Sequence, residues 1–165
     1  DELTIAAKIS GDYTLTLDRI SQGDEFGLSG PYGSFGERFL SKKPAVFIAG
    51  GIGITPFVSM ITSALNRSMK QPIHLFYVAK TTDEAIYHQH FVRLAAILSN
   101  LTYVAHQSRF SGRLTASVIT AMVTQIKQAN IFLCGPAQMM ESLTHQLTSL
   151  GVRRRNIIYE DFRFK

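Results

Sequence analysis

Gly50, Gly51 and Gly53 follow an apolar run, Ala45–Ala49, and precede Ile54-Thr55-Pro56, where a helix can begin. Glycines let the backbone approach a phosphate closely and adopt conformations closed to other residues. The helix start beyond them offers unbonded N–H groups and the positive end of the helix dipole. Thr55 can add a hydroxyl donor. A strand, a glycine turn and a helix start in that order are expected to hold a phosphate. A P-loop is excluded, because no Lys follows the last glycine, and the strict G-x-G-x-x-G fingerprint is absent; the pattern is G-G-x-G-x-T-P. The competing reading is a tight strand-to-helix turn that needs glycine only for its shape.

A second turn, Cys134-Gly135-Pro136, also follows an apolar strand pattern, so Cys134 falls on the sheet edge where a ligand is expected; the alternative is a buried small hydrophobe. Ser108-Arg109 closes a third strand pattern, Arg113 follows Gly112, and Lys80 ends the strand before it. A guanidinium fork suits a phosphate, whereas an acid at that strand end would suit a free ribose hydroxyl. Asp83 and Glu84 stand close by but begin the next helix pattern, where acids are favoured anyway. Lys80 and Arg109 as solvated edge charges is the bland alternative. His88 and His90 are spaced i and i+2 on a helix pattern, on different faces, which disfavours a shared metal ion.

These residues must be positioned by alternating elements. Strands are expected at Ala45–Ala49, Ile73–Ala79, Leu101–Ala105, Asn130–Leu133 and Asn156–Glu160. Helices are expected from about Pro56 to Asn66, from an Asp83 cap to Leu98, from a Thr115 cap to Ile126, and from Pro136 to about Leu150, stopped by Gly151. Strands alternating with helices predict an α/β fold: a parallel sheet of about five strands covered on both faces. The opening part reads as β-rich, with strands over Leu3–Ile9 and Glu25–Ser29 and a short helix capped by Thr14 between them. A domain boundary is expected near Lys42-Lys43-Pro44, giving a fragment over 1–42 and an α/β domain over 43–165.

With 165 residues the chain can bury one sizeable core. It holds no run of eighteen apolar residues, so no spanning helix is expected. The single Cys134 excludes a disulfide framework and fits a reducing compartment, such as the cytoplasm. A net charge of +5 fits anionic ligands, but the one basic run, Arg153-Arg154-Arg155, has no interleaved aromatics, and nucleic acid is not an expected partner. The first residues, Asp1-Glu2-Leu3-Thr4, show no signal peptide and enter a strand-like pattern at once, as a piece of a longer chain does.

Three motifs, in order, resemble the ferredoxin–NADP reductase superfamily. Gly30-Pro31-Tyr32-Gly33 resembles the loop that ends its flavin-binding barrel, residues 49–56 its pyrophosphate loop, and Cys134-Gly135-Pro136 with Met139 its nicotinamide-side loop. The ending Tyr159-Glu160-Asp161-Phe162 and the phrase Leu75-Phe76-Tyr77 are similar to the bacterial ferric-reductase-like branch, to which the NADPH oxidases are related. The resemblance implies hydride transfer from NADPH, with NADH as the alternative, to FAD, and single electrons onward to haem, ferric iron or an iron–sulfur centre. It implies cofactor contacts from Gly50, Gly51, Gly53, Ile54, Thr55, Pro56, Gly135, Pro136 and Met139, a 2′-phosphate contact from Ser108-Arg109 helped by Lys80, and a Cys134 sulfur near the nicotinamide. Glu160 is implied at the flavin–nicotinamide junction, and Phe162, with Phe164 as competitor, over the isoalloxazine. Gly11-Asp12-Tyr13-Thr14 resembles the motif holding the FAD pyrophosphate, with Gly11 and Thr14 as its contacts, but the family's Arg-x-Tyr-Ser/Thr stretch does not occur. Weak or absent FAD binding by this chain alone is therefore expected, the rest of the barrel and any membrane haem domain lying elsewhere in the parent. The readings set against this one are a soluble ferredoxin or oxygenase reductase component and a non-catalytic nucleotide-sensing module of the same fold.

Overall fold

The computed structural model describes residues 3–9, 11–27, 29–30 and 33–160. The chain divides into two compact units, residues 1–34 and 35–165. Residues 35–42, read from sequence with the opening fragment, cluster with the second unit.

The first unit holds helix α1, Asp12–Leu15, continued by a 3-10 turn over Thr16–Arg19. Thr14 lies inside that helix rather than before it, and its hydroxyl donates back to the Gly11 carbonyl at 3.1 Å instead of capping. A second turn closes at 21–24, where the Ser21 amide donates to the Asp24 carboxylate at 2.8 Å. The strands expected over Leu3–Ile9 and Glu25–Ser29 do not form among the described residues. Alternation supplies a face, but a strand also needs a partner for its N–H and C=O groups. Here Leu3, Ile5, Ile9 and Phe26 stand 53–74% exposed.

In the second unit, strand β1 (Ala45–Gly50) leads through a 3-10 turn over Gly51–Ile54 into α2 (Thr55–Asn66). β2 (Ile73–Ala79), α3 (His88–Ile97) and β3 (Leu101–Gln107) follow. Then come α4 (Ser108–Ser111), α5 (Ala116–Met122), β4 (Asn130–Cys134), α6 (Ala137–Ser149) and β5 (Ile157–Glu160). The strands form one parallel sheet in the order β3-β2-β1-β4-β5. β1 is central and buried at all six positions, as its unbroken apolar run requires.

Helices expected from caps at Asp83 and Thr115 differ in detail. α3 begins at His88, because residues 81–87 turn over the end of β2 first. The Thr115 hydroxyl pairs with that of Ser117 at 2.9 Å rather than with a helix amide, and α5 stops at Met122, short of Ile126. Gly151 ends α6 region as expected, at φ +88°.

The sheet buries two cores. Phe47, Leu75, Tyr77 and Phe132 face α2 and α3; Val46, Ile48, Ile131 and Leu133 face α5 and α6. Phe57, in the first turn of α2, stacks on Phe47 of β1 with ring centres 4.8 Å apart, and Phe132 of β4 meets Phe47 edge-on at 5.4 Å. Such rings contribute packing beyond their buried area, and here they tie the start of α2 to the two central strands.

Tyr77 is 1% exposed, and its hydroxyl has no hydrogen-bond partner among the described residues. Burial raises its pKa from 10.0 to about 12; the backbone of Tyr87 and Ile86 opposes the shift without reaching bonding geometry. Tyr103, whose hydroxyl lies 2.9 Å from His88 Nδ1, is also raised to about 12, first by burial and then by Tyr77. Because the folded pKa lies above the unfolded one, the stability these neutral phenols contribute is complete below pH 10.0 and is lost as pH rises through about 12. Tyr77→Phe is expected to be neutral or stabilising at pH 7, since it removes a buried unpaired hydroxyl, and to lose stability less steeply than wild type above pH 10.0. Urea unfolding across pH checks both; a loss above ~1 kcal/mol at pH 7 would show that the hydroxyl is bonded.

Candidate functional site

From β1 the chain builds outward to β2 and β3, then returns across the sheet to β4 on the other side of β1. The reversal leaves a crevice at the C-terminal ends of β1 and β4, the place where open α/β sheets take their ligands. Both glycine turns read from sequence meet there. Ala49 pairs with Cys134, and Cys134 with Glu160, so the ends of β1, β4 and β5 lie abreast.

The two turns touch backbone to backbone. A Cβ on Gly53 would fall 2.6 Å from the Cys134 carbonyl carbon and 2.8 Å from the Gly135 nitrogen. One on Gly135 would fall 2.9 Å from the Gly50 Cα, and one on Gly50 would fall 2.7 Å from Pro136 Cδ and 2.9 Å from Met139 Cε. Any side chain at these three positions must displace backbone or Pro136. Gly51 differs: at φ +54° a Cβ would meet nothing within 4 Å. It is the conformation, not the neighbours, that calls for glycine there.

Each turn delivers a helix start. α2 follows Ile54 with no side-chain cap, no acidic residue in its first turn and Pro56 in the tolerated position. α6 follows Pro136, also uncapped and without an early acid. The Thr55 amide that opens α2 donates to the Ile52 carbonyl of the preceding 3-10 turn; neither helix start carries a side-chain cap or an early acid, so the positive dipole ends of both lie without a compensating carboxylate of their own at one crevice. Gly51, Ile52, Thr55 and Pro56 are half-buried and Gly53 and Ile54 buried. This is a cradle for an anion that backbone N–H groups can hold.

Cys134 is fully buried and packs in the core with Phe47, Phe57 and Phe132. Its backbone, rather than an exposed thiol, forms the crevice wall against Gly53. Glu160 is half-buried beside it. Phe162 and Phe164 lie outside the described residues.

At the far side of the crevice, β3 ends at Gln107, and Ser108-Arg109 opens α4 instead of closing the strand. The reason is local: Ser108 Oγ donates to the Ala79 carbonyl at 3.2 Å and the Arg109 amide to the Lys80 carbonyl at 3.2 Å, which turns the chain over the end of β2. Lys80, Arg109 and Arg113 are all exposed there, with Phe110 75% exposed between the two arginines. Gly11 and Thr14 belong to the first unit and are tied to each other. Sequence reasoning passed over His106, Gln107 and Thr82, which hold this corner together; the available signal was a polar His106 at a buried, core-facing strand position. A cavity of about 460 Å³ along α6, bordered by Glu141, His145, Arg154 and Tyr159, includes no residue of either glycine turn. Among the described residues no three His, Cys, Asp or Glu side chains are grouped to hold a metal ion, and no helix is long and apolar enough to cross a membrane.

A family model described as the oxidoreductase NAD-binding domain matches residues 47–145, from the middle of β1 into α6. The reductase component of propane 2-monooxygenase from Rhodococcus jostii (strain RHA1) is 31% identical over 160 residues, 90% of this chain and 43% of its own length. The electron transfer component of toluate 1,2-dioxygenase from Pseudomonas putida is 28% identical over 145 residues, 85% of this chain and 43% of its own. The chain thus spans less than half the length of these relatives. Among solved structures, the CS-b5R domains of human Ncb5or in the NAD+ form superpose with a TM-score of 0.77 at 23% identity, over 94% of this chain and 47% of that one, which shows a shared fold.

Two glycine variants separate the roles in the turn. Gly53→Ala is expected to cost about 3 kcal/mol, because backbone on the opposing turn must move. Gly51→Ala is expected to cost about 1 kcal/mol, from its positive φ alone. Denaturant unfolding of both checks the ranking, and an equal or reversed order would contradict the backbone contact as the reason for Gly53.

Proposed function

Since the chain belongs to the oxidoreductase NAD-binding domain family, we propose that it binds NADPH across the β1–β4 crevice as the hydride-donor half of a flavin-dependent reductase. The observation that carries this reading is the pair of interlocked glycine turns, which brings two uncapped helix starts to one sheet edge. The pyrophosphate lies on the backbone N–H groups of 51–54, with the Thr55 hydroxyl as an added donor. The nicotinamide extends toward Gly135, Pro136 and Met139, over a floor made by the Cys134 backbone and flanked by Glu160. The adenosine end runs the other way, to the corner of Lys80, Ser108 and Arg109, whose exposed cations receive a 2′-phosphate. The fit is chemical as well as geometric: backbone donors at the centre suit a diphosphate, and a guanidinium fork suits a terminal phosphate.

When bound, NADPH supplies the hydride. The residues of this chain bind and orient it. Phe162 is the proposed flavin contact from the α/β unit; Gly11 and Thr14 are separately proposed as FAD pyrophosphate contacts of the first unit. In the complete protein the hydride passes to FAD in a flavin-binding barrel, and single electrons leave for a haem, ferric iron or iron–sulfur acceptor, in the cytoplasm. The oxygenase-reductase form of this reading is favoured over the ferric-reductase-like one, because proteins with 31% and 28% identity are oxygenase reductase and electron transfer components.

Affinities of NADPH and NADH for wild type and Arg109→Ala test the assignment. The substitution is expected to weaken NADPH by about 1–3 kcal/mol, the order for losing a charge-assisted bond, and to leave NADH nearly unchanged. Equal losses for both nucleotides would remove Arg109 from the 2′-phosphate.

A further inference from the structure

Three consecutive residues where β3 passes into α4 each use a side chain to fasten the loops around Arg109. His106 Nε2 lies 2.9 Å from the Gly112 carbonyl, which can only accept, so Nε2 carries the hydrogen. Gln107 Nε2 donates to Thr82 Oγ1 at 2.6 Å, and Ser108 Oγ to the Ala79 carbonyl at 3.2 Å. The Arg109 amide adds a bond to the Lys80 carbonyl at 3.2 Å. The segment 108–112 is thus pinned at its start by Ser108 and Arg109, and at its end by His106 alone among these four bonds.

The segment needs pinning. α4 is a single turn of four residues, too short to hold its own shape, and its exposed Arg109 and Phe110 have no core contact to fix them. It closes at Gly112 with φ +70°, a conformation that folds the chain back toward β3. His106 occupies a position 8% exposed, where an imidazole is costlier to bury than an aliphatic side chain unless its hydrogen bond is made. Its one described bond reaches not the sheet but the loop that carries Arg109 and leads to Arg113.

We propose that His106 is a positioning residue for recognition of a 2′-phosphorylated adenosine: it preorganises the 108–112 turn so that Arg109 meets the phosphate without first ordering the loop. Gln107, through Thr82, sets the neighbouring β2 loop in the same way. This inference rests on the assignment of Arg109 to the 2′-phosphate.

Calorimetric titration of the chain with 2′,5′-ADP and with 5′-AMP isolates that phosphate. His106→Leu, which keeps bulk and removes the donor, is expected to weaken 2′,5′-ADP about tenfold and to leave 5′-AMP within about twofold. His106→Gln, whose amide nitrogen reaches the place of Nε2, is expected to stay within about threefold of wild type for both. In the Arg109→Ala background, His106→Leu is expected to add no further loss for 2′,5′-ADP, because the two act on one contact. If Arg109→Ala proves selective but His106→Leu weakens both nucleotides alike, or adds fully to Arg109→Ala, the inference is overturned and His106 is structural only. If Arg109→Ala itself is unselective, the 2′-phosphate assignment fails and this inference with it. Should His106→Leu not fold, Thr82→Val releases the companion bond; a selective loss for 2′,5′-ADP supports the preorganised corner, and its absence overturns it.

Discussion

The backbone of the turn after β1 lies against the backbone of the turn after β4, and the ligand edge of this molecule depends on that contact. Gly50, Gly53 and Gly135 stand where a Cβ would collide with the opposing turn. Their absence of side chains lets β1 and β4 end side by side in register, Ala49 beside Cys134, with a helix leaving each strand at once. Move the turns apart and the two helix starts no longer face one crevice. The aromatic packing below serves the same end: Phe57 holds the first turn of α2 on Phe47, and Phe132 of β4 meets Phe47 edge-on.

From that contact the electrostatic layout follows. The centre of the crevice is lined by uncapped amides and helix dipoles, which carry no mobile charge and bring no side-chain entropy to be lost. Exposed cations stand at one end, where Lys80, Arg109 and Arg113 lie beyond β2 and β3. The other end, at Cys134, Gly135 and Glu160, has a buried apolar floor and a single acid. A ligand with a diphosphate in the middle, an anionic group at one extremity and a flat neutral-to-cationic ring at the other matches this gradient, and a nicotinamide dinucleotide phosphate is such a molecule.

Much of this was legible in the sequence. The central strands announce themselves as unbroken apolar runs, and the glycine turns as punctuation between such a run and a helix. β2 was read with its observed ends, Ile73 and Ala79. What was not legible depends on contacts distant in sequence. Asp83 has the chemistry of a helix cap, yet the chain spends residues 81–87 crossing the end of β2 before α3 begins. Leu3–Ile9 has strand alternation, but alternation does not supply a hydrogen-bonding partner. Ser108-Arg109 reads as a strand end until the carbonyls of Ala79 and Lys80, almost thirty residues earlier, capture it. Cys134 is placed at the sheet edge by its strand pattern, but that its side chain is buried in the core while its backbone faces the opposing glycine depends on contacts across the sheet. Local pattern names the elements; which backbone groups meet across the sheet is settled by tertiary pairing.

The role proposed for the interlocked turns is to hold the diphosphate of a dinucleotide. Amide chemical-shift mapping on the isotope-labelled chain during NADPH titration tests it most directly. The largest shifts are expected at the amides of Gly51, Gly53, Ile54, Thr55 and Gly135, saturating together with those of Lys80 and Arg109. Saturable shifts confined to other surfaces, or NADPH binding that leaves residues 51–55 unmoved, would contradict it.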